Sequence, residues 1–181
     1  MLKTIAAALT GAALFAASAL AAEKCTASAD SAWDSAGKGV TIEAFASGSK
    51  CETAMAALVI RDETGTAAFY EVYPAEFVMV LAGMATAKDL EAALKSWIDT
   101  SQPQFASTAD LPAWAEGAEY PVLGDFAFYP EEGIDRATYT KVRDSKAPIF
   151  CYVQGMESMA CVVKDAENGG FYKLGVQTFP G

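Results

Sequence analysis

The 181-residue chain contains no histidine. That absence excludes a Ser-His-Asp triad and a Cys-His nucleophile pair, and it removes the commonest nitrogen ligand from zinc sites. Basic residues are scarce too: 13 Lys and Arg stand against 23 Asp and Glu, a net charge of −10. There is no basic patch, no Gly-rich phosphate loop and no nucleophile elbow. Nucleic acid is therefore not an expected partner, and an anionic lipid surface is repelled. No C-x-x-C spacing occurs, which removes support for a thioredoxin-type redox centre. No catalytic residue, metal ligand set or cofactor is assigned. Carboxylates, Lys, Tyr, Ser and Thr remain for chemistry, and two carboxylates suffice for glycoside hydrolysis.

What is present begins with an export pattern. Lys3 precedes an uncharged Ala- and Leu-rich run from Ile5 to Leu20, and Ala19-Leu20-Ala21 is a small-x-small cleavage site. Residues 1–21 read as a secretory signal peptide, and residues 22–181 as one domain, in the periplasm or secreted. Loss of Lys3 takes Lys and Arg from 13 to 12 against 23 acids, moving the charge from −10 to −11. Such a field favours cationic partners. No later stretch is long and apolar enough to span a bilayer. All four cysteines lie beyond the cleavage site, and an even number in an oxidising compartment reads as disulfides. Short loops close at lower entropic cost, so the expected pairs are Cys25–Cys51 and Cys151–Cys161.

Patterning predicts an α+β fold of antiparallel meanders with at least two packed helices. Cys25 to Gly39, small and polar around Trp33, reads as an irregular lead-in. Val40–Ala46, Ala54–Arg61 and Ala67–Tyr73 read as a three-stranded meander, the last two joined by the Asp62–Gly65 turn. Ala75 to Met84 fits either a buried strand or a short helix. Thr86 caps a helix whose Leu90, Leu94, Trp97 and Ile98 share one face. Residues 99–124 are irregular and Pro-rich, with one helical turn expected to start at Asp110-Leu111-Pro112. The second half loosely echoes the first. Phe126–Tyr129 is a strand, and Asp135 caps a helix to Asp144, with Ile134 as its staple and Ala137, Thr138 and Val142 facing inward. Residues 148–154, 158–165 and 171–177 form a second meander, with Asn168-Gly169 marking the last turn.

If Cys151 faces Cys161, then Val153 faces Met159, Gln154 faces Ser158, and Gly155-Met156-Glu157 is a three-residue tip. Both faces of that hairpin are apolar, so the second either is covered by helices or loops, the Pro-rich loop first among them, or meets a partner. The tip is the expected contact surface: Gln154, adaptable Met156 and acidic Glu157, with Trp114 of the loop as a further binding candidate. Glu131 and Glu132 are candidate carboxylates, read mainly as solvated helix-start charges. Asp165, Glu167 and Asn168 offer a weak calcium set, and Met156 with Met159 a thin Cu(I) set. These residues together predict an exported, non-enzymatic binding protein of the cell envelope. Its partner is a protein or small molecule, in the specific version a cationic hydrolase such as lysozyme that it inhibits. The alternative is a carboxylate-based hydrolase of envelope glycans.

Overall fold

The computed structural model describes residues 24–179 except Gln102. The signal-peptide reading lies outside the described residues. The architecture is a single α+β domain of two antiparallel sheets and two helices, stapled by Cys25–Cys51 and Cys151–Cys161. No helix of the described residues is long and apolar enough to cross a membrane.

The first sheet is a meander of β1 (Cys25–Ala32), β2 (Thr41–Gly48), β3 (Met55–Arg61) and β4 (Ala67–Pro74), in the order β1-β2-β3-β4. The lead-in read as irregular is thus a strand. Its residues are too small and polar to carry a β signal of their own. They still alternate, with Cys25 and Ala29 buried and Thr26, Ser28 and Asp30 outward. Ile42, Ala44 and Ala46 of β2 and Ala56, Leu58 and Ile60 of β3 point inward as the period of two requires. The segment after Pro74 is neither a buried strand nor a regular helix: a 3-10 turn over Ala75–Phe77 runs into further turns.

Helix α1 (Ala87–Trp97) starts where Thr86 Oγ1 accepts a hydrogen bond from the Asp89 N–H at 3.1 Å. It buries Leu90, Leu94 and Trp97 against β1 and β2.

The second sheet contains β5 (Val122–Leu123), β6 (Phe126–Pro130), β7 (Ile149–Val153), β8 (Ser158–Lys164) and β9 (Phe171–Thr178), in the order β5-β6-β9-β8-β7. Helix α2 (Arg136–Asp144) intervenes between β6 and β7, so the two halves share no common strand order. Asp135 caps α2 through the Thr138 N–H at 2.8 Å. Val142 packs inward on the second core as expected, half-buried, and the buried residue of α2 is Tyr139, while Ala137 and Thr138 are exposed. The staple explains the correction: Ile134 precedes the cap, and its packing partner is the fourth helical residue, Tyr139.

The β7–β8 hairpin has the predicted register, with Cys151 opposite Cys161 and Val153 opposite Met159. The second sheet is the central layer of the molecule. Phe150, Tyr152, Ala160 and Val162 join the core shared with the first sheet and α1. Ile149, Met159, Cys161 and Val163 join a second core, closed by Tyr139 of α2 and by Phe105, Leu111 and Trp114 of the Pro-rich loop. That loop is therefore cover for the apolar face. Its helical turn lies at Thr108–Asp110, ahead of the expected position, because Ser107 and Asp110 form a capping box there. Buried Thr108 donates to the Val142 carbonyl at 2.8 Å, satisfying the C-terminal end of α2.

Candidate functional site

One group of large apolar side chains left in water gathers at one end of the molecule. Pro74 terminates β4, and the following turns bury Val78 and Leu81 while leaving Phe77 61% and Met79 49% exposed. The Met79 N–H donates to the Gly155 carbonyl at 3.2 Å, which joins these turns to the β7–β8 tip. Within that tip Met156 is 53% exposed and Glu157 is exposed. The Glu157 carbonyl accepts from the Phe179 N–H at 3.0 Å, and the Phe179 ring meets Phe126 edge-on at 5.9 Å. Phe126 pairs with Leu123 across the two-residue Gly124-Asp125 turn of the β5–β6 hairpin. Gly124, with φ +62°, supplies the positive dihedral such a tight turn needs at its first central position. Leu123 and Val122 are also exposed.

The charges along these segments share one sign. Residues 75–82, 118–129, 153–159 and 176–179 contain Glu76, Glu119, Asp125 and Glu157 and no Lys or Arg. All four carboxylates are exposed. The tip is also held in place. Trp97 Nε1–H donates to the Val153 carbonyl at 2.6 Å, the Gln154 N–H donates to the Ser158 carbonyl at 3.1 Å, and the second disulfide lies two residues below on each strand. A surface already ordered loses less entropy on binding than a free loop does.

The sequence-predicted candidates therefore separate. Gln154, Met156 and Glu157 sit together, with Gln154 half-buried at the hairpin closure. Trp114 belongs elsewhere: its ring packs edge-on against Tyr139 at 5.7 Å and its Nε1–H donates to the Ala118 carbonyl. Met159 is buried in the second core, so it does not share a soft metal site with Met156. Asp165 spends its carboxylate on the Glu167 N–H and the Asn168 amide, which shape the β8–β9 turn, and Glu167 pairs with Lys141 at 2.7 Å. Phe77, Met79, Leu123, Phe126 and Phe179 were not anticipated as site residues. The apolar pairs flanking Gly124-Asp125 are the signal that points to them, since a hairpin that short cannot bury both sides.

Two carboxylate arrangements bear on hydrolase chemistry. Glu131 and Glu71 both reach Lys173, at 3.2 and 3.4 Å, in a half-buried clasp between β4 and β9. Burial works against the Lys173 ammonium, but the hydrogen bond and charge of Glu131 and the charge of Glu71 outweigh it and raise its pKa. Glu132 is solvent-exposed beside it. On the outer face of the first sheet Asp30 lies directly opposite Glu43, in a groove of about 230 Å³. Glu43 is engaged there by Arg61 at 2.8 Å. A groove of about 200 Å³ between α2 and the β8–β9 turn is bridged at its edge by Lys141 and Glu167. Both volumes fall below the roughly 300 Å³ at which small-molecule pockets begin. A larger groove of about 640 Å³ beside the first disulfide is lined by Lys24, Lys50 and Thr86. Among the described residues no group of three or more His, Cys, Asp or Glu is placed to hold a metal ion.

Beneath the tip, Tyr152 and Tyr139 anchor the two cores, and burial pushes both phenols well above their usual range. A phenol raised on folding leaves stability untouched below the unfolded value of about 10; stability falls as pH rises above it. In an ultraviolet titration these two phenols are expected to ionise only as the near-ultraviolet circular dichroism collapses. Complete, reversible tyrosine ionisation with the fold intact would contradict their burial.

No family model matches the chain, and no match is found among curated proteins or solved structures.

Proposed function

We propose that this chain is an exported, non-enzymatic binding protein of the cell envelope that grips a cationic partner through its acid-rimmed apolar end. The observation that carries the reading is that end itself: Phe77, Met79, Met156, Leu123 and Phe126 exposed along one strip, with only carboxylates among the charges of its segments. Contiguous exposed apolar surface with a polar rim marks interaction sites. Export to the periplasm or beyond is supported by the residue 1–21 leader pattern and by the two disulfides. The specific version is inhibition of a basic hydrolase, with lysozyme as the type: Met156 and its neighbours supply apolar contact and the rim steers a cationic surface.

The test is the double substitution Met156→Ala with Glu157→Lys, measured by calorimetry against a purified basic lysozyme. Surface changes of this kind cost under about 0.5 kcal/mol of stability. Affinity is expected to fall at least about tenfold, or about 1.4 kcal/mol. Absence of binding by the unsubstituted protein sets aside the lysozyme version. Binding that the double substitution leaves unchanged moves the contact surface away from the tip.

The rival reading, a glycan hydrolase, draws on the Asp30–Glu43 and Glu71–Glu131 pairs. Its weakness is that Arg61 already engages Glu43 and Lys173 already bridges Glu71 and Glu131. Peptidoglycan, ester and peptide substrates are expected to show background turnover only. A signal abolished by Asp30→Asn, Glu131→Gln or Glu132→Gln would promote the rival.

A further inference from the structure

All four cysteines are bridged, so no thiol is left for an oxidant to attack. The next softest sulfur is the thioether of methionine. Five of the six methionines lie among the described residues, and the fold sorts them by exposure. Met159 is 6% exposed in the second core, and Met84 is half-buried against the first. Met156 is 53%, Met79 49% and Met55 48% exposed. Met79 and Met156 both belong to the acidic apolar end, on segments joined by the bond from the Met79 N–H to the Gly155 carbonyl. Met55 projects from β3 on the outer face of the first sheet, with Ala54 and Ala56 buried on either side. The other side chains open to oxidation are better protected: Trp33 and Trp97 are buried and Trp114 is half-buried.

A hydroperoxide is the matching class of oxidant. The thioether sulfur donates a lone pair to one peroxide oxygen, an S–O bond forms and the O–O bond breaks. The other oxygen leaves as hydroxide, takes the proton of the transferred oxygen and departs as water. Sulfur is oxidised by two electrons and the peroxide is reduced by two. The sulfoxide is polar where the thioether was apolar. At Met79 and Met156 that change falls on the area a partner buries, and an acceptor buried without a donor is costly. Neither side chain belongs to a buried core, so the fold is spared. We infer that Met79 and Met156 form a redox-sensitive modification site, at which a hydroperoxide makes sulfoxides and weakens the hold of the acidic apolar end on its partner. The inference rests on the reading of that end as the contact surface. Methionine sulfoxide reductases restore the thioether.

The test treats the purified protein with dilute hydrogen peroxide, maps each sulfoxide by mass spectrometry, and measures affinity for a basic lysozyme before and after. Met79 and Met156 are expected to oxidise at least about tenfold faster than Met159, because susceptibility follows exposure. At that stage circular dichroism should be unchanged and affinity should fall at least about tenfold. The pair Met79→Leu with Met156→Leu conserves volume. Whatever its starting affinity, peroxide should not change it, while Met55→Leu should respond as the unsubstituted protein does. Retention on an apolar resin gives a readout that needs no partner. It should shorten after peroxide in Met55→Leu and stay fixed once Met79→Leu and Met156→Leu are added. Absence of lysozyme binding before treatment sets aside that partner alone, and the resin readout then decides the inference. Unchanged affinity and retention with both sulfoxides formed would overturn it. So would a response that survives the double substitution, or oxidation of Met79 and Met156 no faster than that of Met159.

Discussion

Gly175→Ala is expected to destabilise the protein by about 3 kcal/mol, the upper end of what an added group costs in a well-packed core. Gly175 is buried in β9, between Pro130 of β6 and Cys161 of β8. A Cβ there would collide with the Tyr129 carbonyl oxygen and stand 2.6 Å from Phe128 Cε1. Neither neighbour yields freely. The Tyr129 oxygen is backbone of the paired strand, and Phe128 is fully buried with its ring 5.7 Å from Tyr139. Relief requires β6 to withdraw from β9, which loosens the base of the apolar β5–β6 hairpin. Denaturant unfolding measures the loss, and hydrogen exchange should locate it in the β6–β9 amides while the first sheet keeps its protection. A variant within about 0.5 kcal/mol of the unsubstituted protein would show that the strand pairing is looser than described.

Tyr152→Ala is expected to cost about 3–5 kcal/mol. The side chain lies on the face of the central sheet that meets the first sheet. Its ring has Phe150 at 5.8 Å, Trp97 at 5.9 Å and Tyr73 at 6.2 Å as neighbours. Truncation opens a cavity where β4, α1 and β7 converge and undercuts the Trp97 indole that holds the Val153 carbonyl below the tip. Tyr152→Phe keeps the ring and removes only the hydroxyl contact with Tyr73, 3.1 Å away, so it should cost about 1 kcal/mol. A loss for Tyr152→Ala no greater than that for Tyr152→Phe would mean the ring is not a keystone between the layers.

The parts of the fold visible in the sequence are those whose information is local. Thr86 and Asp135 each announce a helix by a side chain that caps it. The β7–β8 register follows from two cysteines and a three-residue loop, because one opposed pair determines all the others. β1 was hidden by side chains such as Ala27, Ser28 and Ala29, which acquire strand character from pairing with β2 and not from their own preference. The inward face of α2 was legible at Val142 but misplaced at Ala137 and Thr138, which look core-compatible, while Tyr139 owes its burial to Ile134 and a loop some thirty residues upstream. The acidic apolar end was legible only at Met156 and Glu157. Its other members come from three further segments, and scattered exposed apolar residues mean nothing until a fold assembles them.

The central claim, that the acidic apolar end is the contact surface for a cationic partner, is tested most directly by site-specific photocrosslinking in the intact envelope. A photoactivatable residue at position 156 is compared with one at exposed Thr140 on α2. The expected result is a discrete adduct with a basic protein from position 156 and none from position 140, weakened by raised salt. No adduct from position 156, or the same adducts from both positions, would contradict the account.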